Sequence, residues 1–433
     1  MAVLSIVGRV YRFLRRLILT LIGLVTLLYL LNYSTIPLGD EWQQVAVIAR
    51  NQQFDYLGWE LGAIGVKTWQ TLYGEQPFMT EAARSAYVRD YMSDLGEVQR
   101  IESQISSIYT NPDIIDPDEA SADLQAERDT RRADLRERQA LVEAILEGQV
   151  AAVLVKLGFG LGGQLLPPIS MHFTQVPNLL VVSPRDQIRF DVSINLNGMS
   201  VDEIEALERE IDQRLDVRSL IMPLGGIALY PAMILETSSI PFILETFAHE
   251  WLHHYLFFYP LGFEYEFANE TRIINESTAE AFGREVSRLV LARYYPDLLP
   301  SPPAPASEAP PAEPAPQDAP PVFDFGREMN ETRVTVDELL AARKVDEAEA
   351  YMEERRRLFV ENGYGIRKLN QAYFAFYGGY QGSGSGEGGS DPIGPAIQVV
   401  RNQSASIYDW IKTMRMITTR EELLGAIRPS FDG

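Results

Sequence analysis

The residues best suited to chemistry form one short cluster of histidines and a glutamate. The chain has only four histidines, and three of them, His249, His253 and His254, stand close together around Glu250. Because His249 and His253 are four residues apart, their imidazoles lie on one face of a helix and can bind the same metal ion. The chain has no cysteine, so a transition metal can be held only by histidine and carboxylate ligands. The spacing therefore predicts a Zn²⁺ site on a helix.

The segment around this cluster is predicted to form a buried helix. Ser238 or Ser239 can cap its start, Pro241 suits its first turn, and the Pro-Leu-Gly sequence at 260–262 ends it. Burying two imidazoles and a carboxylate without partners is costly, and a metal ion compensates that cost. Apolar residues lie on nearly every side of the helix: Phe242, Leu244, Phe247, Trp251, Leu252, Leu256 and Phe257.

A catalytic zinc ion needs a third protein ligand and one open position. Residues 275–283 are predicted to open a second helix, running to about Tyr295, with Glu276 and Glu280 four apart on one face. Glu276 is the predicted third ligand, and Glu270 is the main alternative, followed by Glu280. With Glu276 as the ligand, Glu280 is expected to accept a hydrogen bond from the second ring N–H of a liganding histidine and so fix its tautomer.

These two motifs together resemble the gluzincin superfamily of zinc peptidases. The pattern is His-Glu-x-x-His at 249–253 followed by Asn-Glu-x-x-Ala-Glu at 275–280, and the resemblance covers mainly residues 225–295. It implies that the two motif histidines and Glu276 bind Zn²⁺. It also implies that Glu250 is the general base that activates water for the hydrolysis of a peptide bond.

A weaker pattern resembles one bacterial group of predicted aminopeptidases. Residues 366–372 lie shortly before Tyr380, but that group tends to have asparagine where Gln371 stands, and the Gly/Ser-rich loop after Tyr380 also departs from it. Tyr373, Tyr377 and Tyr380 are expected to be core or surface aromatics by default. The resemblance implies instead that one of them, Tyr380 foremost, donates its hydroxyl to the tetrahedral intermediate. Residues 225–230 are either an edge strand that pairs with an extended peptide, as in gluzincins, or an ordinary strand.

The two remaining histidines are interpreted differently. His254 is about 100° around the helix from its neighbour His253, so it cannot easily join the same ligand set and is expected to be a packing residue. His172 lies in a Pro-rich loop. It is expected either to be a packing residue or to stabilise an oxyanion.

The start of the chain is predicted to anchor it in the cell membrane. Four arginines between Arg9 and Arg16 precede an uncharged, mostly apolar stretch that extends from Leu17 to Leu38. A spanning helix needs about 20 such residues, and positive charge tends to stay cytoplasmic. Residues 1–39 are therefore predicted to form a single-pass anchor with the catalytic domain on the extracytoplasmic side. The alternatives are a cleaved signal peptide and a buried or interfacial helix.

The rest of the chain is predicted to be α+β, with a gluzincin-like catalytic domain. A helical hairpin is expected in residues 40–150, the catalytic domain with a small mixed sheet in 151–299, a Pro/Ala-rich linker in 300–322, and a helical region in 323–433. Strands are predicted at 178–183, 187–196, 217–222 and 226–230, a helix at 201–215, and C-terminal helices at about 335–359, 366–377 and 396–427.

The bulk composition limits the function classes. A formal net charge of −22 disfavours nucleic acid as a partner, because phosphate binding needs clustered Lys and Arg. The predicted function is thus a membrane-anchored zinc peptidase that acts on a peptide or protein. The alternative is a catalytically inert tethered scaffold whose zinc helix is structural or degenerate.

Overall fold

The computed structural model describes residues 2–32, 39–299, 323–382 and 385–427. The chain divides into two compact units, residues 1–51 and residues 52–433. The described residues are mainly helical with three small sheets, so the mixed helix-and-sheet class is confirmed. The predicted linker at 300–322 lies outside the described residues.

The first unit contains two helices, α1 (Ala2–Asn32) and α2 (Glu41–Ile48). Within α1, the segment Phe13–Leu30 is long and apolar enough to cross a membrane, and none of it is buried. The expected apolar N-terminal helix is therefore confirmed, whereas its insertion in a membrane and its orientation there stay predictions. Asp40 caps α2 by accepting a hydrogen bond from the backbone N–H of Gln43.

The second unit begins with helices, and the predicted helical hairpin is present. The helices are α3 (Tyr56–Tyr73), α4 (Glu81–Thr110) and α5 (Pro117–Leu154). Arg132 of α5 pairs with Glu102 of α4 at 2.9 Å, and Arg138 pairs with Asp94 at 2.6 Å. Because later residues of α5 meet earlier residues of α4, the two helices run antiparallel. Their buried stripe includes Leu95, Val98, Ile101, Ile105, Leu135, Val142 and Ile145.

Three small sheets follow. The elements are β1 (Gly160–Leu161), β2 (Gln164–Leu165), β3 (Met171–Thr174), β4 (Asn178–Pro184), β5 (Val192–Leu196), α6 (Val201–Leu215), β6 (Val217–Pro223), β7 (Gly226–Ile227) and β8 (Ala232–Leu235). β1 and β2 form an antiparallel hairpin, and β4 lies between β5 and β6, antiparallel to both. In the third sheet β8 is central, parallel to β3 and antiparallel to β7. β7 is thus an edge strand.

Two predicted strands are shorter than expected. The strand predicted at 187–196 begins only at Val192, because the Ser183 hydroxyl accepts a hydrogen bond from Arg189 N and donates one to Gln187 O, which holds the preceding segment as a turn. The strand predicted at 226–230 ends at Ile227, where Leu229 N donates to the Ile227 carbonyl and bends the chain.

The two motif helices pack closely against each other. They are α7 (Ile240–Leu256) and α9 (Asn269–Tyr294), separated by the short α8 (Pro260–Phe263). α7 is capped by Ser239, as predicted. At Gly283 of α9 a Cβ atom would lie 2.6 Å from the Glu245 carbonyl oxygen and 3.2 Å from His249 Cβ, so only glycine permits this approach. α9 begins at Asn269 rather than Asn275; no side chain caps its start, so the sequence carries no signal there.

The C-terminal part is helical and belongs to the same compact unit as the motif helices. Its helices are α10 (Phe325–Ala341), α11 (Val345–Glu361), α12 (Gln371–Tyr377), α13 (Ile393–Gln403), α14 (Ile407–Met414) and α15 (Arg420–Gly425). The first of these begins ten residues before the expected start at Thr335, and Asp324 caps it. The helix predicted from Ile366 begins only after Asn370, whose side chain caps α12. One cluster of buried apolar side chains joins α10–α12 to β4 and β6. A larger one is formed mainly by α4, α5, α7 and α9.

Candidate metal centre

The two motif histidines meet on one face of α7. Their Nε2 atoms are 3.0 Å apart, and the ring planes are inclined at 74°. Both side chains are mostly buried, at 14% and 15% exposure for His249 and His253. Such a short separation between two ring nitrogens is explained either by a hydrogen bond from one imidazole to the other or by joint ligation of one ion.

Glu276 completes a triangle with these nitrogens. Its Oε2 atom is 3.3 Å from His249 Nε2 and 3.5 Å from His253 Nε2. The carboxylate is buried, and within the described part of the chain no donor is aligned to hydrogen-bond this Oε2. With bonds of about 2.0–2.1 Å, the ligand atoms of a tetrahedral zinc are roughly 3.3 Å apart. The three atoms therefore fit the donor set of a zinc ion.

Glu250 lies beside this triangle on α7. A ligand atom from each of His249, Glu250 and His253 lies within 4.8 Å of the others, and Glu250 is buried. Its Oε1 would be 2.7 Å from a Cβ atom at Gly226, so the edge strand β7 passes directly against this carboxylate. A side chain at position 226 would displace the Glu250 carboxylate or the Thr246 methyl group from its present position.

The site carries an excess of carboxylates, which the pKa values reflect. Burial raises the pKa of Glu250 more than the two imidazoles lower it. Burial acts in the same direction on Glu276, but the neighbouring His253 and His249 side chains hold its pKa well below the ordinary value. For His249, burial is outweighed by Glu276 and Glu250, which raise its pKa to about 9. The His249 imidazole therefore binds a proton more tightly than a free imidazole does, as expected beside several carboxylates.

Tyr265 is a site residue that the sequence did not reveal. Its hydroxyl donates a hydrogen bond to Glu276 Oε1, and its ring lies edge-on to His253 with 6.0 Å between centroids. Burial and the Glu276 charge raise the pKa of Tyr265 well above its ordinary value, so it remains a donor. It lies in the loop between the motifs, where no spacing rule marks a tyrosine as a ligand-orienting residue.

Tyr380 lies next to the imidazole pair, as the weaker resemblance implies. Its ring is stacked on His249 at 6.3 Å and 25°. Burial, and next Glu276, raise the pKa of Tyr380 well above its ordinary value. The segment that carries it is fixed to α9, because Ser277 Oγ donates to the Gly379 carbonyl and accepts from Gln381 N, both at 3.0 Å.

The other candidate acids are engaged elsewhere. Glu270 pairs with Arg420 at 3.6 Å and is 38% exposed, so it does not complete the imidazole pair. Glu280, expected to accept from an imidazole, instead accepts from Arg284 at 3.0 Å. Its charge still contributes to the raised pKa of His249. Glu276 is therefore the acid that the fold brings to both imidazoles.

The two other histidines do not belong to the triangle. His254 packs against the Tyr230 ring at 5.8 Å, and burial lowers its pKa. His172 has its Nδ1 atom 3.0 Å from Glu143, in a buried polar cluster that also contains Lys67.

Comparisons were made with known protein families, with curated proteins and with solved structures. None of the three found a match for this chain. The similarity to zinc peptidases consequently rests on the two short motifs and on the geometry that brings their side chains together.

Proposed function

We propose that the protein is a membrane-anchored, zinc-dependent peptidase. The single observation that carries this proposal is the buried triangle formed by Nε2 of His249, Nε2 of His253 and Oε2 of Glu276. Two neutral imidazoles and one carboxylate are the ligand set of one class of catalytic zinc sites. The open fourth position of such a site is where substrate chemistry takes place.

The roles of the side chains follow from their positions. Zn²⁺ held by His249, His253 and Glu276 would lower the pKa of a bound water molecule and polarise the scissile carbonyl. Glu250 takes the proton of the attacking water and passes it to the departing amine. Burial raises the pKa of Glu250, which brings this group closer to the pH at which it must both accept and release a proton.

The surroundings of Glu250 favour an extended peptide or protein as substrate. The edge strand β7 runs against Glu250 at Gly226, and an edge strand offers backbone groups that an extended peptide can pair with. Tyr380 lies on the His249 side, and its raised pKa keeps its hydroxyl protonated as a donor to a developing oxyanion. The arginines that precede the apolar part of α1 favour an extracytoplasmic location for this activity.

The test separates metal binding from proton transfer. Glu250→Gln is expected to keep the zinc content of the wild-type chain and to lose hydrolysis of a peptide library. Glu245→Gln is the matched control on the same helix. Glu245 is 43% exposed, and its ion pair with Arg284 is long, at 3.8 Å. The control should keep both the zinc content and the hydrolysis. Undiminished hydrolysis by Glu250→Gln would refute the base. A zinc-loaded wild type with no chelator-sensitive hydrolysis would favour the inert scaffold.

A further inference from the structure

The helix α3 has the reverse of the polarity expected at a protein surface. Its two charged residues, Glu60 and Lys67, are both half-buried, whereas every exposed residue between positions 56 and 69 is uncharged. Among the large apolar residues described on this helix, Leu57 is 70% exposed, and Leu61 and Trp69 are each 65% exposed. A surface helix of a water-soluble unit normally turns charged residues outward and apolar residues inward.

The inner side of α3 is held by specific polar contacts. Lys67 Nζ lies 2.7 Å from Glu143 and 2.9 Å from Glu147, both on α5. About two helical turns earlier, Trp59 Nε1 donates a hydrogen bond to Thr174 Oγ1 at 3.3 Å. These contacts fix the rotation of the helix about its own axis. Its outward face is therefore set by the fold.

The outward face is an apolar stripe beside a row of glycines. Leu57, Leu61 and Ile64 are spaced by four and three residues and so lie on one side of the helix. A Cβ atom added at Gly62 or Gly65 would meet no atom within 4 Å, which shows open space next to the stripe in the described part of the chain. An uncharged, open face of this length needs an apolar partner.

We propose that this face of α3 lies in the lipid interface of the bilayer for which α1 is suited. In the sequence α3 follows α1 closely, with only residues 33–55 between them. If α1 holds the chain at a bilayer, a connection this short keeps α3 near the same surface, so weak adsorption suffices. With a net charge of −22 and no charged residue on the face, binding is driven by insertion of Leu57, Leu61 and Ile64 rather than by attraction to lipid phosphates.

The chain lacks cysteine, which allows a clean labelling experiment on the full-length protein. Leu61→Cys and Ile64→Cys carry a nitroxide in nanodiscs of phosphatidylcholine. Val201→Cys on α6 is the control, because Val201 is similarly exposed at 63%. Collisions with oxygen report on lipid, and collisions with a water-soluble nickel chelate report on water. At the two α3 positions, nickel collisions should be lost and oxygen collisions gained relative to the control.

Two results would overturn the proposal. Nickel collisions at Leu61→Cys and Ile64→Cys equal to those at Val201→Cys would show that the face is in water. Shielding from both reagents, with spin–spin broadening between chains, would show that a second copy covers it. An unchanged melting temperature of each labelled variant establishes that the fold has been kept.

Discussion

Among the described residues, a buried lysine cluster and the buried imidazole site both combine acids with nitrogen bases, and they differ in how their charges are balanced. In the lysine cluster, formed by Lys67, Glu143, Glu147 and His172, the ammonium group lies within 3 Å of both carboxylates. Glu143 Oε1 also accepts from the backbone N–H of Phe173 at 2.8 Å. This cluster contains its own cation, so its buried carboxylates are paired by a side chain of the same chain.

The imidazole site, formed by His249, His253, Glu250 and Glu276, is not balanced in this way. Within the described residues, neither Glu250 nor Glu276 forms an ion pair with a lysine or arginine, and Glu276 Oε2 has no aligned donor. Burying carboxylates is costly, and here the cost is offset by the imidazoles of His249 and His253 rather than by a permanent cation. This difference is what we expect if the lysine cluster is structural and the imidazole site is built to hold an additional cation.

The largest expected effect is loss of metal from the imidazole site. His253→Ala removes one of the three proposed ligands, so metal affinity should fall by orders of magnitude, measured by competition with a chromophoric chelator. His254→Ala is the matched control, because His254 is next in sequence but packs against Tyr230. Equal metal affinity in the two variants would remove the distinction between the clusters.

The lysine cluster should respond in stability instead. Lys67→Met leaves Glu143 and Glu147 buried without their cation, which is expected to lower the free energy of unfolding by about 3–5 kcal/mol. Lys412→Met is the control at an exposed pair with Asp409, where the loss should stay below about 1 kcal/mol. Chemical denaturation in detergent measures both, and the zinc content should be unchanged in both. A Lys67→Met protein as stable as wild type would show that the cluster is not the structural one.

The pH dependence of stability sharpens the same contrast. Although burial alone would raise it, Lys67 and His172 lower the pKa of Glu143 from 4.5 to about 2. A carboxyl group whose pKa is lower in the folded state than in the unfolded state stabilises the fold at pH values above its unfolded pKa. This stabilisation is lost as pH falls from about 4.5 towards 2. It amounts to about 3 kcal/mol. Relative to wild type, Glu143→Gln should therefore flatten the decline of unfolding free energy over that window. Parallel curves would contradict the assigned charge of Glu143.

The smallest expected effect concerns Tyr265. Tyr265→Phe removes the hydrogen bond to Glu276 Oε1, and losing a partner that orients a ligand typically weakens metal binding by about 10–100-fold. Tyr364→Phe is the control, since its ring packs against Phe325. Titration with Zn²⁺ against a competing chelator resolves the difference. Identical affinities would indicate that Glu276 is held by packing alone.

The sequence could predict the centre of the site because its information is local. The spacing of His249 and His253 on a capped apolar helix indicated a shared face, and Glu276 on the next helix was the acid expected beside them. Glu280 was predicted to accept from an imidazole, but in the structure it accepts from Arg284, a donor one turn away on the same helix. Local rules place residues on faces, but they do not decide between competing partners.

The remainder could not be predicted, because its partners are far apart in the chain. Lys67 and Glu143 are separated by 76 positions, and no periodic pattern links them. The contact of Gly226 with Glu250 depends on where a two-residue edge strand meets a helix, and a short strand has little sequence signal. The start of α9 was also missed, since it has no capping side chain.

The most direct measurement is the zinc content of the full-length protein, determined by elemental analysis after purification in detergent and after chelation and back-titration. About one equivalent per chain is expected in the wild type and in His254→Ala, and close to none in His249→Ala. A wild-type chain that remains folded but neither contains nor takes up zinc would contradict the assignment of His249, His253 and Glu276 as a metal centre.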